Sequence, residues 1–196
     1  VPSPDTHPPE GFARTSGARN SLEGDPVIDR YIRDVPDFPK QGILFKDITP
    51  LLQSPDGFRE TIDLLARVVD PNSYDLVCGI ESRGFIFGCA LANRLDKGFV
   101  PIRKPGKLPW KTAAESYELE YGKDSIEIHL DACKPGQKVL LIDDLLATGG
   151  TMEAAVKLVR KIGGTPVACV FVIELTFLPG RKKLDGLAVH SLIKVS

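Results

Sequence analysis

Residues 139–151 constrain the fold of this chain more than any other stretch. They begin with four apolar residues, 139–142, which predict a buried strand of a parallel sheet. Asp143 and Asp144 follow at the predicted carboxyl end of that strand, which is where open α/β sheets bind their ligands. A short loop then leads directly into a predicted helix. This order of parts predicts an α/β fold with a ligand site at the strand end.

The loop, residues 147–151, has the composition of a phosphate-binding loop. Gly149 and Gly150 allow a ligand to approach the backbone closely, and Thr148 and Thr151 offer hydroxyls. The helix start adds unpaired N–H groups and a positive dipole end, which suit a phosphate monoester, while the preceding acids can bind a polyol or a metal ion. The loop is not of the Walker type, because the lysine after the last glycine is missing. The alternative is an ordinary strand-to-helix turn. It does not explain the two adjacent carboxylates, because packing gives no reason for them at the end of a buried strand.

A second strand, turn and helix repeat this arrangement. Residues 76–80 predict a strand, and the turn that follows carries Arg83. Residues 98–104 predict a third strand, which ends in Arg103 and Lys104. Any one of these cations alone fits a solvated surface charge. Because all three close parallel strands at the same edge of the sheet, we predict a second anion site beside the first.

The other segments complete one open, mostly parallel, twisted sheet flanked by helices. Residues 36–50 predict an irregular loop, in which Phe45 is either a core residue or a surface for stacking a planar ring. Residues 105–124 predict a flexible excursion that returns through a hairpin, as lids and binding loops do. A basic turn over 180–184 is expected to be solvated. The remaining predicted elements are helices over 26–35, 56–69, 85–95 and 152–162, and strands over 167–175 and 187–195.

Composition limits the class of protein. The 196 residues suit a single domain over 25–196, preceded by a proline- and glycine-rich extension over 1–24 that we expect to be disordered. The extension lacks the apolar core of a signal peptide, although an organelle address is left open. A formal net charge of −1 gives no basic field for nucleic acid, and no apolar run reaches the length of a membrane span. The cysteines form no C-x-x-C pair, which predicts free thiols in a reducing compartment and hence a cytoplasmic location.

Taken together, the apolar strand, the Asp-Asp pair and the Ala-Thr-Gly-Gly-Thr loop resemble the phosphoribosyl-pyrophosphate (PRPP) motif of the type I phosphoribosyltransferases. Four further segments resemble the members of that family that act on adenine: residues 38–48, 81–85, 102–109 and 119–123. The resemblance covers the chain from about residue 28 to its last residue. It implies the type I phosphoribosyltransferase fold, with a small hood over about 36–52 and a flexible loop and hairpin over about 104–130.

The resemblance also implies a reaction and its partners. Adenine and PRPP would give AMP and pyrophosphate, a step of purine salvage. Mg²⁺ would be the cofactor, bound mainly through the substrate and, by way of water, by Asp143 or Asp144. A homodimer is implied, and the apolar helix face around 85–91 can supply its interface. Neither nucleic acid nor a membrane is an expected partner.

Carried onto matching positions, the family's motifs assign two catalytic residues and four groups of binding residues. Glu120 would be the acid/base at the purine, and Arg83 the second catalytic residue. The backbone at Glu81–Ser82 would approach the pyrophosphate so closely that we expect a strained peptide there. The family more often has arginine where Lys46 stands. With lysine at this position, backbone contacts to the base are kept, but a stacked or bidentate side-chain contact is not. The groups are Ala147, Thr148, Gly149, Gly150 and Thr151 for the 5′-phosphate; Asp143 and Asp144 for the ribose hydroxyls; Glu81, Ser82, Arg83, Arg103, Lys104, Lys107 and Tyr121 for pyrophosphate; and Leu44, Phe45, Lys46 and Leu145 for adenine.

Two other functions are compatible with this fold. A phosphoribosyltransferase for another base would keep the same motif, but the segments 42–48 and 119–121 argue against it. A non-catalytic PRPP-sensing regulator would be expected to bring a DNA-binding domain, and neither a helix-turn-helix nor a basic face is evident in the sequence. A pyrophosphate-release assay with a panel of bases distinguishes the three functions, which predict release with adenine, release with another base, or no release.

Overall fold

The computed structural model describes residues 26–118 and 123–196. The α-helices are α1 Pro26–Asp29, α2 Thr49–Gln53, α3 Pro55–Val68, α4 Arg83–Arg94 and α5 Gly150–Lys161, and two 3-10 helices cover Pro71–Ser73 and Pro179–Leu184. The strands are β1 Arg33–Pro36, β2 Leu44–Asp47, β3 Leu76–Ile80, β4 Gly98–Ile102, β5 Thr112–Glu118, β6 Lys123–His129, β7 Lys138–Leu146, β8 Thr165–Leu175 and β9 Ala188–Val195. Residues 1–24, predicted to be a disordered extension, lie outside the described part.

One parallel sheet forms the centre of the molecule. Its strands run in the order β4-β3-β7-β8-β9, and each neighbouring pair is parallel. Two short antiparallel sheets, β1-β2 and β5-β6, complete the strand content of the described residues. The predicted fold class, an open and mostly parallel sheet flanked by helices, is confirmed. None of the described helices is long and apolar enough to cross a membrane.

The central sheet is covered on both faces. Along β7, Leu140 and Ile142 pack into one core with residues of α3 and α4, whereas Val139 and Leu141 pack into another with residues of α5 and β6. All four side chains are fully buried. Successive residues of a strand point to opposite faces, so a strand covered on both sides requires a continuous apolar run. This requirement explains why the apolar run 139–142 has no polar position.

The strand β7 is longer than its apolar run predicted. It continues through Leu146 because its pairing with β8 extends to the pair Leu146–Glu174. Asp143 and Asp144 are therefore part of the strand rather than of the loop after it. The helices α5 and α4 both begin two residues earlier than predicted, at Gly150 rather than 152 and at Arg83 rather than 85.

The N-terminal part of the fold differs from the prediction. The predicted helix over 26–35 ends at Asp29, and its last residues instead belong to β1. β1 forms an antiparallel pair with β2, which lies in the segment that was expected to be irregular. Ion pairs of 2.6 Å cross this pair of strands from Arg33 to Asp47 and from Lys46 to Asp34. Such cross-strand pairs stabilise a ladder that local helical spacing does not favour. We call the segment from β1 through β2 the N-terminal hairpin.

The hairpin predicted to end the 105–124 excursion is confirmed as β5 and β6. Their register runs from Thr112 opposite His129 to Glu118 opposite Lys123. Ile126 and Ile128 are fully buried in the same core as α5, so the hairpin lies against that helix. The position of the hairpin is therefore set by the same helix that carries the phosphate-binding loop.

Candidate active site

The phosphate-binding loop predicted over 147–151 lines a cavity of about 90 Å³ at the carboxyl end of β7. Gly149 has φ 76°, a left-handed conformation that residues with a side chain rarely adopt. It is the N-cap of α5, and its carbonyl accepts a hydrogen bond of 2.9 Å from the amide of Glu153. The first N–H groups of a helix lack intrahelical partners, so this end of α5 can bind an anion. Asp143, Leu145, Leu146, Met152 and Phe171 complete the cavity wall.

The two aspartates beside the loop have unusual electrostatics. Burial, and the charge of neighbouring Asp144, raise the pKa of Asp143 well above its usual range. Burial also raises the pKa of Asp144, although the guanidinium of Arg83 opposes this effect. The start of α4 packs against the pair, since a Cβ on Gly84 would lie 2.8 Å from Oδ1 of Asp143. A hydroxyl or a hydrated cation that bonded these oxygens would favour their charged forms.

Arg83 connects the acid pair to the N-terminal hairpin. Its Nε lies 2.9 Å from Oδ2 of Asp144, and its Cζ lies 5.5 Å from the centre of the Phe45 ring, as in a cation–π contact. The ion pair does not have hydrogen-bond geometry, so Oδ2 of Asp144 has no hydrogen-bond partner among the described residues. A buried carboxylate oxygen with unmet bonding capacity marks a place where a ligand hydroxyl or a hydrated cation fits.

The second predicted anion site is organised by Glu81. Its carboxylate accepts two hydrogen bonds of 3.2 Å from the guanidinium of Arg103 and one of 2.9 Å from the amide of Lys104. The hydrogen bond from Arg103 lowers the pKa of Glu81, followed in effect by the one from Lys104. The Glu81–Ser82 peptide bond is cis. Because this carboxylate already accepts from a guanidinium and a backbone amide, a contact from Glu81 to an anion would come from its backbone.

Lys104 is bound by the β5-β6 hairpin. Its Nζ donates to the hydroxyl of Tyr117 at 3.0 Å and to the carboxylate of Asp124, and that hydroxyl also donates to Asp124 at 3.0 Å. Lys107 is exposed, and its carbonyl accepts a hydrogen bond of 3.1 Å from Arg103.

The structure thus brings three predicted cations together at one sheet edge, each with a carboxylate partner. Arg83 follows β3, and Arg103 and Lys104 follow β4, which pairs with β3 in parallel. Their partners are Asp144, Glu81 and Asp124, respectively. An incoming polyanion would compete with these carboxylates for the same cations.

The predicted base-binding residues lie on two elements. The half-buried Phe45 packs edge to face against Phe38, with 5.1 Å between ring centres, and its ring also contacts the guanidinium of Arg83. Leu145 lies near the end of β7, in the wall of the phosphate-loop cavity. The side chain of Lys46 is 13% exposed and paired with Asp34, which leaves its backbone, and that of Leu44, for a planar ligand. Glu120 and Tyr121 lie outside the described residues.

Sequence reasoning missed two neighbours of the loop, Gly180 and Lys183, and its expectation of a solvated basic turn over 180–184 is wrong for Gly180 and Leu184. Gly180 is buried against the loop, where an added Cβ would overlap the carbonyl oxygen of Ala147. Leu184 is also buried, whereas Lys182 and Lys183 are exposed as expected, and so is Arg181, although it is paired with the buried Glu174. No local pattern signals a contact between segments about thirty residues apart in the chain.

Comparison with known proteins places this geometry in a family. Residues 47–187 match the phosphoribosyl transferase domain. A protein of Thermotoga sp. (strain RQ2) called adenine phosphoribosyltransferase is 54% identical over 166 residues, which cover 85% of this chain and 98% of that protein.

Solved structures agree with the sequence relatives. The adenine phosphoribosyltransferase of Thermoanaerobacter pseudethanolicus superposes with a TM-score of 0.85 and 54% identity, covering 89% of this chain and all of that one. The enzyme of Saccharomyces cerevisiae, solved with D-2,5-dideoxy-2,5-imino-altritol 1,6-bisphosphate and adenine, gives 0.81 and 40%, covering 84% of this chain and 96% of that one. The chain belongs to the phosphoribosyltransferase family and, within it, to the adenine phosphoribosyltransferases.

Proposed function

We propose that this chain transfers the 5-phosphoribosyl group of PRPP to adenine, giving AMP and pyrophosphate in purine salvage. The observation that carries the proposal is the placement of Arg83, Arg103 and Lys104 at the same sheet edge as the loop 147–151 and the buried acid pair. The loop 147–151 would bind the 5′-phosphate, and Asp143 and Asp144 would bind the ribose hydroxyls. The cations Arg83, Arg103, Lys104 and Lys107, the 81–82 backbone and Tyr121 would bind the pyrophosphate.

The charge arrangement suits this reaction. As the bond from the anomeric carbon to pyrophosphate breaks, positive charge grows on the ribosyl group and negative charge grows on the leaving group. Arg83 and Arg103 are held at this edge by Asp144 and Glu81, so the cations that would meet the leaving-group charge are already in place before the substrate binds. Asp143 would face the electron-poor ribosyl group. The residues therefore favour the transition state over the bound substrates.

Adenine would bind between Phe45 and Leu145. The ring of Phe45 provides a planar surface, and the backbone at Leu44 and Lys46 would read the edge of the base. The purine nitrogen that attacks the anomeric carbon has to lose a proton, and we assign Glu120 to accept it.

Mg²⁺ fits the donor atoms that are present. This cation prefers oxygen ligands and usually keeps several waters while binding one or two carboxylates together with substrate phosphates. Oδ2 of Asp144 is buried without a hydrogen-bond partner in the described part of the chain, so Asp144 or its neighbour Asp143 would hold the ion through water. When bound, Mg²⁺ would offset negative charge on the phosphates of PRPP.

We further propose a cytoplasmic homodimer. Cys78, Cys89, Cys133 and Cys169 are all free thiols, which suits a reducing compartment. Ile86 and Cys89 expose part of the α4 surface, and this apolar face is the proposed contact between the two copies.

The direct test of the function is pyrophosphate release from PRPP and Mg²⁺ with a panel of bases. We expect release with adenine and none above background with hypoxanthine, guanine, xanthine, uracil or orotate. Release with one of those bases in place of adenine would reassign the substrate. Binding of PRPP without release for any base would instead support the non-catalytic alternative.

Arg83→Ala is expected to weaken the binding of PRPP and pyrophosphate by about 1.5–3 kcal/mol, the loss of a charged hydrogen bond. The change also removes the cation that opposes the raised pKa of Asp144, so the acid would stay protonated to higher pH. Calorimetric titration with PRPP measures the affinity.

The matched control for this variant is Arg94→Ala, at the other end of the same helix. Arg94 is paired with Asp63, and its side chain is 61% exposed. We expect its removal to leave PRPP affinity within about twofold, because exposed pairs contribute little. Equal affinities of the two variants for PRPP would remove Arg83 from the pyrophosphate site.

A further inference from the structure

The 3-10 helix Pro179–Leu184 forms the back of the phosphate-binding loop. A Cβ on Gly180 would overlap the carbonyl oxygen of Ala147 and would lie 3.1 Å from the amide nitrogen of Gly149. In the other direction, a Cβ on Gly149 would overlap the carbonyl oxygen of Gly180. The two backbones are therefore in direct contact with no side chain between them. A shift of the 3-10 helix would move the loop or open a gap behind it.

One residue ties this 3-10 helix to the central sheet. The guanidinium of Arg181 donates to both carboxylate oxygens of Glu174, at 2.8 and 2.5 Å, and to the carbonyl of Val189 at 2.8 Å. Ser191 donates a further hydrogen bond of 2.5 Å to the same carboxylate. Arg181 thus binds β8 and β9 at once, and it directly follows Gly180 in the chain.

This network is buried on its carboxylate side, although the side chain of Arg181 is 46% exposed. The side chain of Glu174 is only 6% exposed, and the hydrogen bond from Arg181 is the main cause of its lowered pKa. The paired fork geometry of arginine fixes both distance and direction, which a single ammonium cannot do. By contrast, the neighbouring Lys182 is exposed and, among the described contacts, has neither a hydrogen bond nor an ion pair.

We propose that Arg181 is a positioning residue for the phosphate site. It fixes the 3-10 helix against the sheet, and the helix in turn fixes the loop 147–151 at the distance that a phosphate group requires. The inference rests on the proposed function only in taking the bound group to be the 5′-phosphate of the ribose. A misplacement of about 1 Å in a binding group can cost up to about 10²-fold, so a small shift of this backing would be measurable.

The test compares Arg181→Met, which keeps much of the length of the side chain, with Arg181→Lys and with the control Lys182→Ala. We expect Arg181→Met to raise the Kd for ribose 5-phosphate and the KM for PRPP by about 10-fold or more, within the range for a misplaced binding group. The KM for adenine should change by less than about twofold, because Phe45 and Lys46, which would bind the base, lie on the N-terminal hairpin and not on this helix. Arg181→Lys should recover part of the affinity, and Lys182→Ala should match the parent.

A second variant covers the event that Arg181→Met does not fold, since it leaves the buried carboxylate of Glu174 unpaired. The double variant Arg181→Met with Glu174→Gln removes the unpaired charge, but it still lacks the link between the 3-10 helix and the sheet. Its Kd for ribose 5-phosphate should therefore remain raised. Parent-like affinity in a folded single or double variant would overturn the inference, as would an equal rise in the KM values for PRPP and adenine. If the parent binds ribose 5-phosphate but releases no pyrophosphate with adenine, the proposed function fails, while the affinities of the variants still decide the role of Arg181.

Discussion

Glu120→Gln is expected to lower the turnover of adenine to AMP by ~10²–10⁴-fold, the usual contribution of one acid/base group. A glutamine amide has nearly the size of the carboxylate but does not accept the purine proton. Glu120 lies between the described residues 26–118 and 123–196, but the strand leading to it is placed by the structure. A Cβ on Gly150 would lie 3.6 Å from the carbonyl oxygen of Glu118, so β5 ends beside the start of α5.

The control for this prediction is Glu118→Gln, two positions earlier in the chain. Glu118 is exposed, and the change of charge and shape is identical. We expect its turnover to stay within about twofold of the parent, since surface substitutions away from specific features have small effects. Both variants are compared by pyrophosphate release at saturating adenine and PRPP over a range of pH. A Glu120→Gln rate close to that of Glu118→Gln would remove Glu120 from the catalytic assignment.

The part of the site built on the central sheet was predictable from the sequence because each element there is decided locally. The run 139–142 has the continuous apolar pattern of a strand buried on both faces, and the glycines of 149–150 leave little choice for the loop that follows. The parallel topology then places Arg83, Arg103 and Lys104 at one edge, because they end adjacent strands. Strand, loop and helix follow from short-range physics.

The partners of those cations were not predictable, because they come from other elements. Glu81 lies 22 positions before Arg103, and Asp124 lies 20 positions after Lys104. Sequence order gives no preference among the many carboxylates at such separations. The prediction for the N-terminal hairpin failed for the same reason: the helical spacing of 26–35 was outweighed by tertiary pairing of β1 with β2. The contact of Gly180 with the loop is likewise tertiary.

Gly149→Ala is expected to lower kcat/KM for PRPP by at least ~10²-fold, the scale of a displaced binding group. Two physical effects combine at this position. The left-handed φ of 76° disfavours any side chain, and the new Cβ would overlap the carbonyl oxygen of Gly180. Relief of that overlap requires the loop to move away from its backing, which displaces the N–H groups that would bind the 5′-phosphate.

Gly136→Ala separates the two effects. Gly136 has a φ of 78°, but a Cβ added to it would meet no atom within 4 Å beyond its immediate chain neighbours. This control should lose about 1–2 kcal/mol of unfolding free energy from the left-handed conformation alone and keep its kinetic constants. Gly149→Ala should lose more stability than that and, unlike the control, should lose affinity for ribose 5-phosphate. Urea unfolding and calorimetric titration of both variants measure the two quantities. If Gly149→Ala loses no more affinity than Gly136→Ala, the contact between the loop and the 3-10 helix does not control phosphate binding, because backbone strain is common to both variants and only the overlap differs.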